Sequence, residues 1–369
     1  MISSLPGYNG LVDESGTPYG VKHIENKIRV SAMPYLFDIA EGNVSGHDDF
    51  TKIGYNPLGS TTEQDIWSAG GLYVFPLAEQ AMELVSGNNT QDIGTVIKGD
   101  ATGNTVQADA DGTTTSLEDD SVDFTAATAV AVGDCVILDP HGAVPEWGYV
   151  TAVAAATLTI ANGFSEGGTA ASRYYAVIDK SAYTHAQVVK IDYLDGSYVK
   201  KEEIIVLNGT TTVATINADI FRINYFHIIA AGSSEFCLGD VVIQGTGAGP
   251  EYAHITALYT RERGCIFTVP AGNTLYVTDV NFGAVDPNAS KFQAVRMTLR
   301  ANMEPLHEFL MGKMFFPLAE VLVVNASVGI SLQMPIKIIE KADVVISGKG
   351  FTGFVGPAPL TTVMRGWIE

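Results

Sequence analysis

At 369 residues the chain exceeds one ordinary core of about 150 residues, so several domains are expected. With 46% hydrophobic residues, only 17% charged residues and 38 glycines, the composition favours turn-punctuated β structure over helices and fits either a surface covered by neighbouring subunits or a large monomer with a thin polar skin. The net charge of −20 divides as −8, −10, −3 and +1 over residues 1–100, 101–172, 173–262 and 263–369; the second stretch has no Lys or Arg, which excludes nucleic acid as its partner.

Residues 1–45 hold Gly, Pro and short apolar pieces such as IRVSAM and YLFDIA, and are expected to form an extended arm. The start, MISSLPGYNG, lacks a cationic and apolar leader, and no run of about 18 apolar residues follows anywhere. Neither export by that route nor a membrane span is expected. Residues 46–99 alternate turns with strand-like pieces. In GYNPLGSTTEQDIWSAGG, the pairs Asn56-Pro57 and Gly70-Gly71 are expected to turn the chain into LYVFP, with Trp67 as the packing anchor. PLAEQAMELVSG fits a short helix as well as a strand.

The charge composition shifts near residue 100 and again near 175, which marks 100–175 as an inserted acidic module. Its strand-like runs CVIL, GYVTAV and ATLTIA predict a small barrel or sandwich. The interrupted β domain is expected to resume over 176–262, with turns at Asp195-Gly196 and Asn208-Gly209 between strands. Residues 263–369 carry strand-like runs every 10 to 15 residues, beginning with FTV, the turn Pro270-Ala-Gly-Asn and TLYVTDV. That spacing predicts a C-terminal β-sandwich or jelly roll, with MEPLHEFLMG as its one helix candidate. The expected fold is therefore all-β: an N-terminal β domain interrupted by a barrel-like acidic insertion and followed by a sandwich.

Catalytic signatures are sparse. There is no GxSxG, HExxH or Walker-type loop, and the seven histidines are scattered singly. Cys135, Cys237 and Cys265 stand among apolar residues without a CxxC pair and are expected as free, buried thiols. His47, Asp48 and Asp49 in GHDDF suit either acid–base work or a solvated turn. Asp109, Asp111 and Gly112, with Glu118 further on, copy part of a calcium loop, but Gln107 takes its first position and no helix pattern flanks it. Asp119 and Asp120 follow, so a hard cation or a plain solvated acidic loop both fit. Tyr174, Tyr175, Tyr225 and Phe226 are either sugar-stacking platforms or core aromatics. No cofactor and no enzymatic activity are expected.

The strings NVSGHDDFTKIGYNPLGSTTEQDIWSAGGLYVFP, VKIDYLDGSYVKKEEIIVLNGTTTV, INADIFRINYFHIIAAGSS and GDVVIQGTG resemble structural proteins of tailed bacteriophages. So does the ending from FTVPAGNTLYVTDV through EKADVVISGKG to RGWIE. The resemblance covers about 43–98 and 180–369 and skips the arm and the acidic module. It implies a virion protein made in the host cytoplasm: a capsid decoration, head-fibre or tail-associated component, assembled as a trimer or another closed oligomer. The implied partners are other copies of itself and the major capsid protein or other virion proteins, with no nucleic acid and no membrane. The alternative is a tail or neck protein that binds host glycans. No catalytic residues carry over, and Trp67, Gly70 and Gly71 are expected to be structural.

Overall fold

The computed structural model describes residues 21–24, 27–30, 38–101, 106–108, 112–126, 129–142, 144–161, 164, 173–284, 294–302, 315–324, 327–351 and 358–369. Asp109 and Asp111 of the calcium-like loop, the helix candidate 303–312 and most of the arm lie outside them. Within the arm, β1 (Val21–Ile24) and β2 (Lys27–Val30) pair antiparallel.

The described residues are almost entirely β, with a single helical turn at 38–40 among them. β3 (Asp48–Gly59) and β4 (Gln64–Asp65) come first, then β5 (Met82–Ser86). β5 resolves the helix-or-strand ambiguity at 76–87. Met82, Leu84 and Ser86 point inward while Glu83 and Val85 are half-buried, a period of two that a helix cannot bury.

β6 (Val96–Gly99), β7 (Ser116–Glu118), β8 (Cys135–Leu138), β9 (Glu146–Val153), β10 (Thr157–Ala161) and β11 (Tyr175–Ile178) form one antiparallel sheet, ordered β6-β11-β8-β9-β10-β7. No ladder closes β6 onto β7 among the described residues. CVIL and YAVI are buried on both faces, and alternation divides them. Val136, Leu138, Tyr175 and Val177 face a core with Leu117, Phe124, Leu158 and Ile160. Cys135, Ile137, Ala176 and Ile178 face Val188, Ile204, Ile229 and Ala230 on the neighbouring sheet.

That neighbouring sheet has the order β13-β12-β15, from β12 (Ala186–Leu194), β13 (Lys200–Val206) and, after β14 (Val213–Ala214), β15 (Arg222–Ala231). Asp195-Gly196 joins β12 to β13 as a true hairpin. At Asn208-Gly209 the chain also turns, with Gly209 at φ +60°, but it crosses to another sheet instead of folding back. There β14 meets β5, which pairs in turn with β16 (Val241–Gly245) and β17 (Glu251–Ile255) in the order β14-β5-β16-β17. Met82, Ile191, Tyr193, Phe226, Val241 and Ile243 are among the side chains packed between these two sheets.

The last strands are β18 (Ile266–Thr268), β19 (Leu275–Ala284), β20 (Ala294–Asn302), β21 (Phe316–Val324), β22 (Ser327–Ile338), β23 (Asp343–Gly350) and β24 (Ala358–Ile368). They build two facing sheets, β18-β23-β20-β21 with β4 added on β23, and β22-β19-β24-β3. β3 and β4 fall in the stretch read from sequence as the start of the split domain, yet they pair with β24 and β23. Strand partners follow the buried face and not nearness in sequence. Between the sheets lie Phe50, Ile66, Phe267, Val280, Phe282, Met297 and Leu299, each fully or almost fully buried and stabilising by roughly 1.5–3 kcal/mol. Asn56-Pro57, expected as a turn, lies inside β3 at a register shift between the pairs Leu360↔Asn56 and Ala358↔Gly59. Proline there removes one ladder donor at an irregularity, where the loss is tolerated. At Gly366 a Cβ would stand 1.8 Å from the Tyr276 carbonyl oxygen, so only glycine lets β24 approach β19 so closely.

Candidate functional site

The corner after β4 gathers the residues that the sequence singles out. Ile66 is held from two sides: its N–H donates to the Ile346 carbonyl at 2.8 Å and its carbonyl accepts from Cys265 N at 2.9 Å. The Gly71 carbonyl accepts from Asp65 N at 2.9 Å and from Trp67 Nε1 at 3.3 Å. Gly70 and Gly71 make that turn at φ +74° and +75°, in the left-handed region that costs glycine nothing. Trp67 is buried within its own chain, edge-on to Tyr73 at 5.2 Å; Tyr73 continues to Phe75, and Phe75 to Phe315.

The acids of this corner are bound internally. Arg300 donates to Asp65 at 2.6 Å and stands 3.3 Å from Glu63, which also accepts from Ser347 Oγ. Burial raises the Asp65 carboxyl above its usual range, opposed by hydrogen bonds from Tyr73 N and Arg300. Outward from the corner the chain alternates the other way. Leu72 and Val74 are 56% and 58% exposed on an extended run, and Leu77, at the bend after Pro76, is 97% exposed.

A second polar group ties β15 to the sandwich. Arg222, at 2% exposure, donates from Nε to Asp343 at 2.9 Å, from Nη2 to its other oxygen at 3.2 Å, and from Nη1 to the Pro76 carbonyl. Asp343 also accepts from Thr268 Oγ1 and Asn302 Nδ2. Asn224 exchanges two hydrogen bonds with the Thr268 backbone, and Lys52 Nζ donates to the Asn224 carbonyl. Nothing in the sequence periodicity finds this knot. The available signal is a charge inside an apolar strand: Arg222 in DIFRINYF and Asp343 in ADVVIS.

Beside the knot is a cavity of about 380 Å³ lined by Lys52, Asp192, Tyr225, His227, Arg261 and Glu262, among others. Burial lowers the Lys52 ammonium despite the opposing field of Glu262, and burial pushes the Glu262 carboxyl up to about 7 against Lys52 and His254. Burial also lowers His227. Such shifts can equip acid–base chemistry. Here Lys52 is committed to the wall: besides the Asn224 carbonyl, it lies 4.4 Å over the Tyr225 ring.

The other sequence candidates are dispersed. His47 contacts the Glu369 carboxylate at 2.8 Å, and Asp48 and Asp49 open β3. Glu118 ends β7 and accepts from Ser116 Oγ at 3.4 Å; Asp119 is buried and accepts from Tyr175 Oη at 2.7 Å and from Ser121. Among the described residues no three His, Cys, Asp or Glu side chains are grouped to hold a metal ion. Tyr175 and Phe226 are core residues, and Tyr174 and Tyr225 are half-buried. All three cysteines are free and buried; burial raises Cys135 and Cys265 to about 12 and Cys237 to about 11, far from reactive thiolates. No helix among the described residues is long and apolar enough to cross a membrane.

The surface is notable for apolar side chains left in water: beyond Leu72, Val74 and Leu77, these include Leu322 at 53% and Met334 at 83% exposure on β21 and β22. No protein-family model matches the chain, and no curated protein matches it.

Proposed function

We propose that the chain is a non-enzymatic structural protein of a tailed-bacteriophage virion, a capsid decoration or head-fibre protein that works as a closed oligomer fixed to the particle. The observation that carries this reading is the set of large apolar side chains in water, Leu72, Val74 and Leu77 after the corner and Leu322 and Met334 on the sandwich. A chain with only 17% charged residues that exposes such runs is built to be covered by neighbours. The resemblance of 43–98 and 180–369 to phage structural proteins supports the same role. In this mechanism the near-neutral sandwich meets other copies and the shell, and the acidic module faces solvent, where its charge keeps particles apart.

Gold-labelled antibody against the chain, applied to intact particles of the phage that encodes it, tests the proposal. Uniform label over the head is expected. Label confined to one vertex would support the tail or neck alternative with glycan binding, and unlabelled particles would end the virion reading.

A further inference from the structure

Alternation gives the sheet β13-β12-β15 two unlike faces. On β12, Val189, Ile191 and Tyr193 point to the core shared with β5 and β16, while Val188, Lys190 and Asp192 point the other way. That second face is covered at both ends by different neighbours. Val188, Ile204, Ile229 and Ala230 lie under the six-stranded sheet, and Tyr225 lies against Phe267 of the sandwich, with ring centroids 6.2 Å apart. Between the two covers is the cavity of about 380 Å³. It shares Asp192 and Tyr225 with a cavity of about 250 Å³ on the sandwich side, and Ile228 and Thr260 with one of about 520 Å³ on the side of the acidic sheet. The three make one groove along β15, roughly 25 Å long.

Most charges in the middle of the groove answer one another. Lys190 Nζ stands 3.2 Å from Asp192 and 2.7 Å from Glu202, and Lys52 is taken by the Asn224 carbonyl and the Tyr225 ring. Three half-buried polar groups are left over: the Tyr225 hydroxyl, the His227 imidazole and the Glu262 carboxyl make no side-chain hydrogen bond among the described residues. Groups so far from water normally have a partner. Burial lowers His227, raises Tyr225 and pushes Glu262 up to about 7, so imidazole and phenol are uncharged at neutral pH and the carboxyl keeps much of its proton. Each of the three then both donates and accepts, which is the pattern that sugar hydroxyls match and a lone ion does not. Other ligand classes fit the groove poorly. A peptide strand finds no open edge, because β15 is paired with β12 on one side and with residues 260–262 on the other, through Ile228 N to the Thr260 carbonyl and Glu262 N to the Phe226 carbonyl. Nucleic acid would meet Asp48, Asp49, Glu202 and Glu235 along the walls.

We infer that this groove binds an uncharged oligosaccharide, with one sugar ring in the central cavity hydrogen-bonded to Tyr225, His227 and Glu262 and the flanking units running along β15 in both directions. The site is a property of this chain alone and does not depend on the particle role proposed above.

The full chain is applied to an array of neutral and acidic oligosaccharides, and the strongest neutral hit is titrated by calorimetry. A neutral chain of several sugars is expected to bind at least about tenfold more tightly than its monosaccharide, with the same Kd in low and high salt. Tyr225→Phe, which keeps the ring and its packing, and His227→Gln are each expected to weaken binding about three- to tenfold at an unchanged melting temperature. An array without hits overturns the assignment, and so does an affinity that both substitutions leave alone. Binding of acidic sugars only, weakened by salt and lost in Arg261→Ala, would overturn it in favour of an anion held at the rim. Sugar binding by a chain whose particles stay unlabelled sinks only the virion reading. Labelled particles and a chain that binds no sugar sink only this inference.

Discussion

β15 holds two neighbours on different terms. At its start Arg222 and Asn224 reach the sandwich through ionic and amide hydrogen bonds to Asp343 and the Thr268 backbone, all buried. Near its end Ile229 and Ala230 meet the six-stranded sheet through Cys135, Ile137, Ala176 and Ile178, with one phenolic bond from Tyr149 Oη to the Ile229 carbonyl at 2.6 Å. An apolar seam gains from contact area and accepts small displacements. A buried ionic knot gains only when every donor and acceptor is met, so it holds one geometry and fails abruptly. The joint to the sandwich therefore demands one geometry, whereas the joint to the six-stranded sheet rests mainly on apolar contact, with Ile204 N–H also donating to the Pro140 carbonyl at 3.2 Å.

The sharpest way to break this contrast is Asp343→Ala, which strands the buried Arg222 guanidinium together with Thr268 and Asn302. A loss of about 3–5 kcal/mol is expected in urea unfolding. A loss below about 1 kcal/mol would mean that water or relaxation replaces the knot and that the two seams are alike.

Next in size is a pH effect confined to the ionic side. The Glu262 carboxyl is raised to about 7 from 4.5, so the folded state holds its proton more tightly than the unfolded chain. Its stabilisation is complete below pH 4.5 and is lost as pH rises to about 7, by roughly 1–3 kcal/mol. Glu262→Gln should flatten that part of the stability–pH curve, measured by thermal or urea melts from pH 4 to 8. An unchanged slope would assign the dependence to other groups.

The smallest change probes the apolar seam. Tyr149→Phe removes one hydrogen bond and is expected to cost about 0.5–1.5 kcal/mol, with hydrogen exchange quickening in 96–178 before the sandwich. Equal quickening in both regions would show that the seams open together.

Much of the strand inventory is legible in the sequence, because alternation and turn chemistry are local. Asp195-Gly196 closes its hairpin, GYVTAV and ATLTIA pair as β9 and β10, and the runs after 263 are strands. What escapes is partner choice. Asn208-Gly209 turns the chain as its residues demand, yet the next strand goes to β5, since that is where its apolar face is buried. Asn56-Pro57 carries a turn signal that the pairing of β3 with β24 overrides. Of the corner residues, Trp67 is buried and Gly70 and Gly71 turn the chain at positive φ. Lys52, Glu262 and the Arg222–Asp343 knot come from distant segments and have no common signature in sequence.

The pairing of β3 with β24 also dictates an order of events. Asp48 meets Ile368, and Phe50 meets Gly366, so β3 has no ladder partner until β24 has been synthesised. Such distant closure is slow, and the waiting strand offers an open edge to other nascent chains. During synthesis the six-stranded sheet, closed by 178, can form while the sandwich cannot. A ribosome-bound chain halted after residue 350 would therefore carry the strands of the acidic sheet complete and a sandwich still lacking β24.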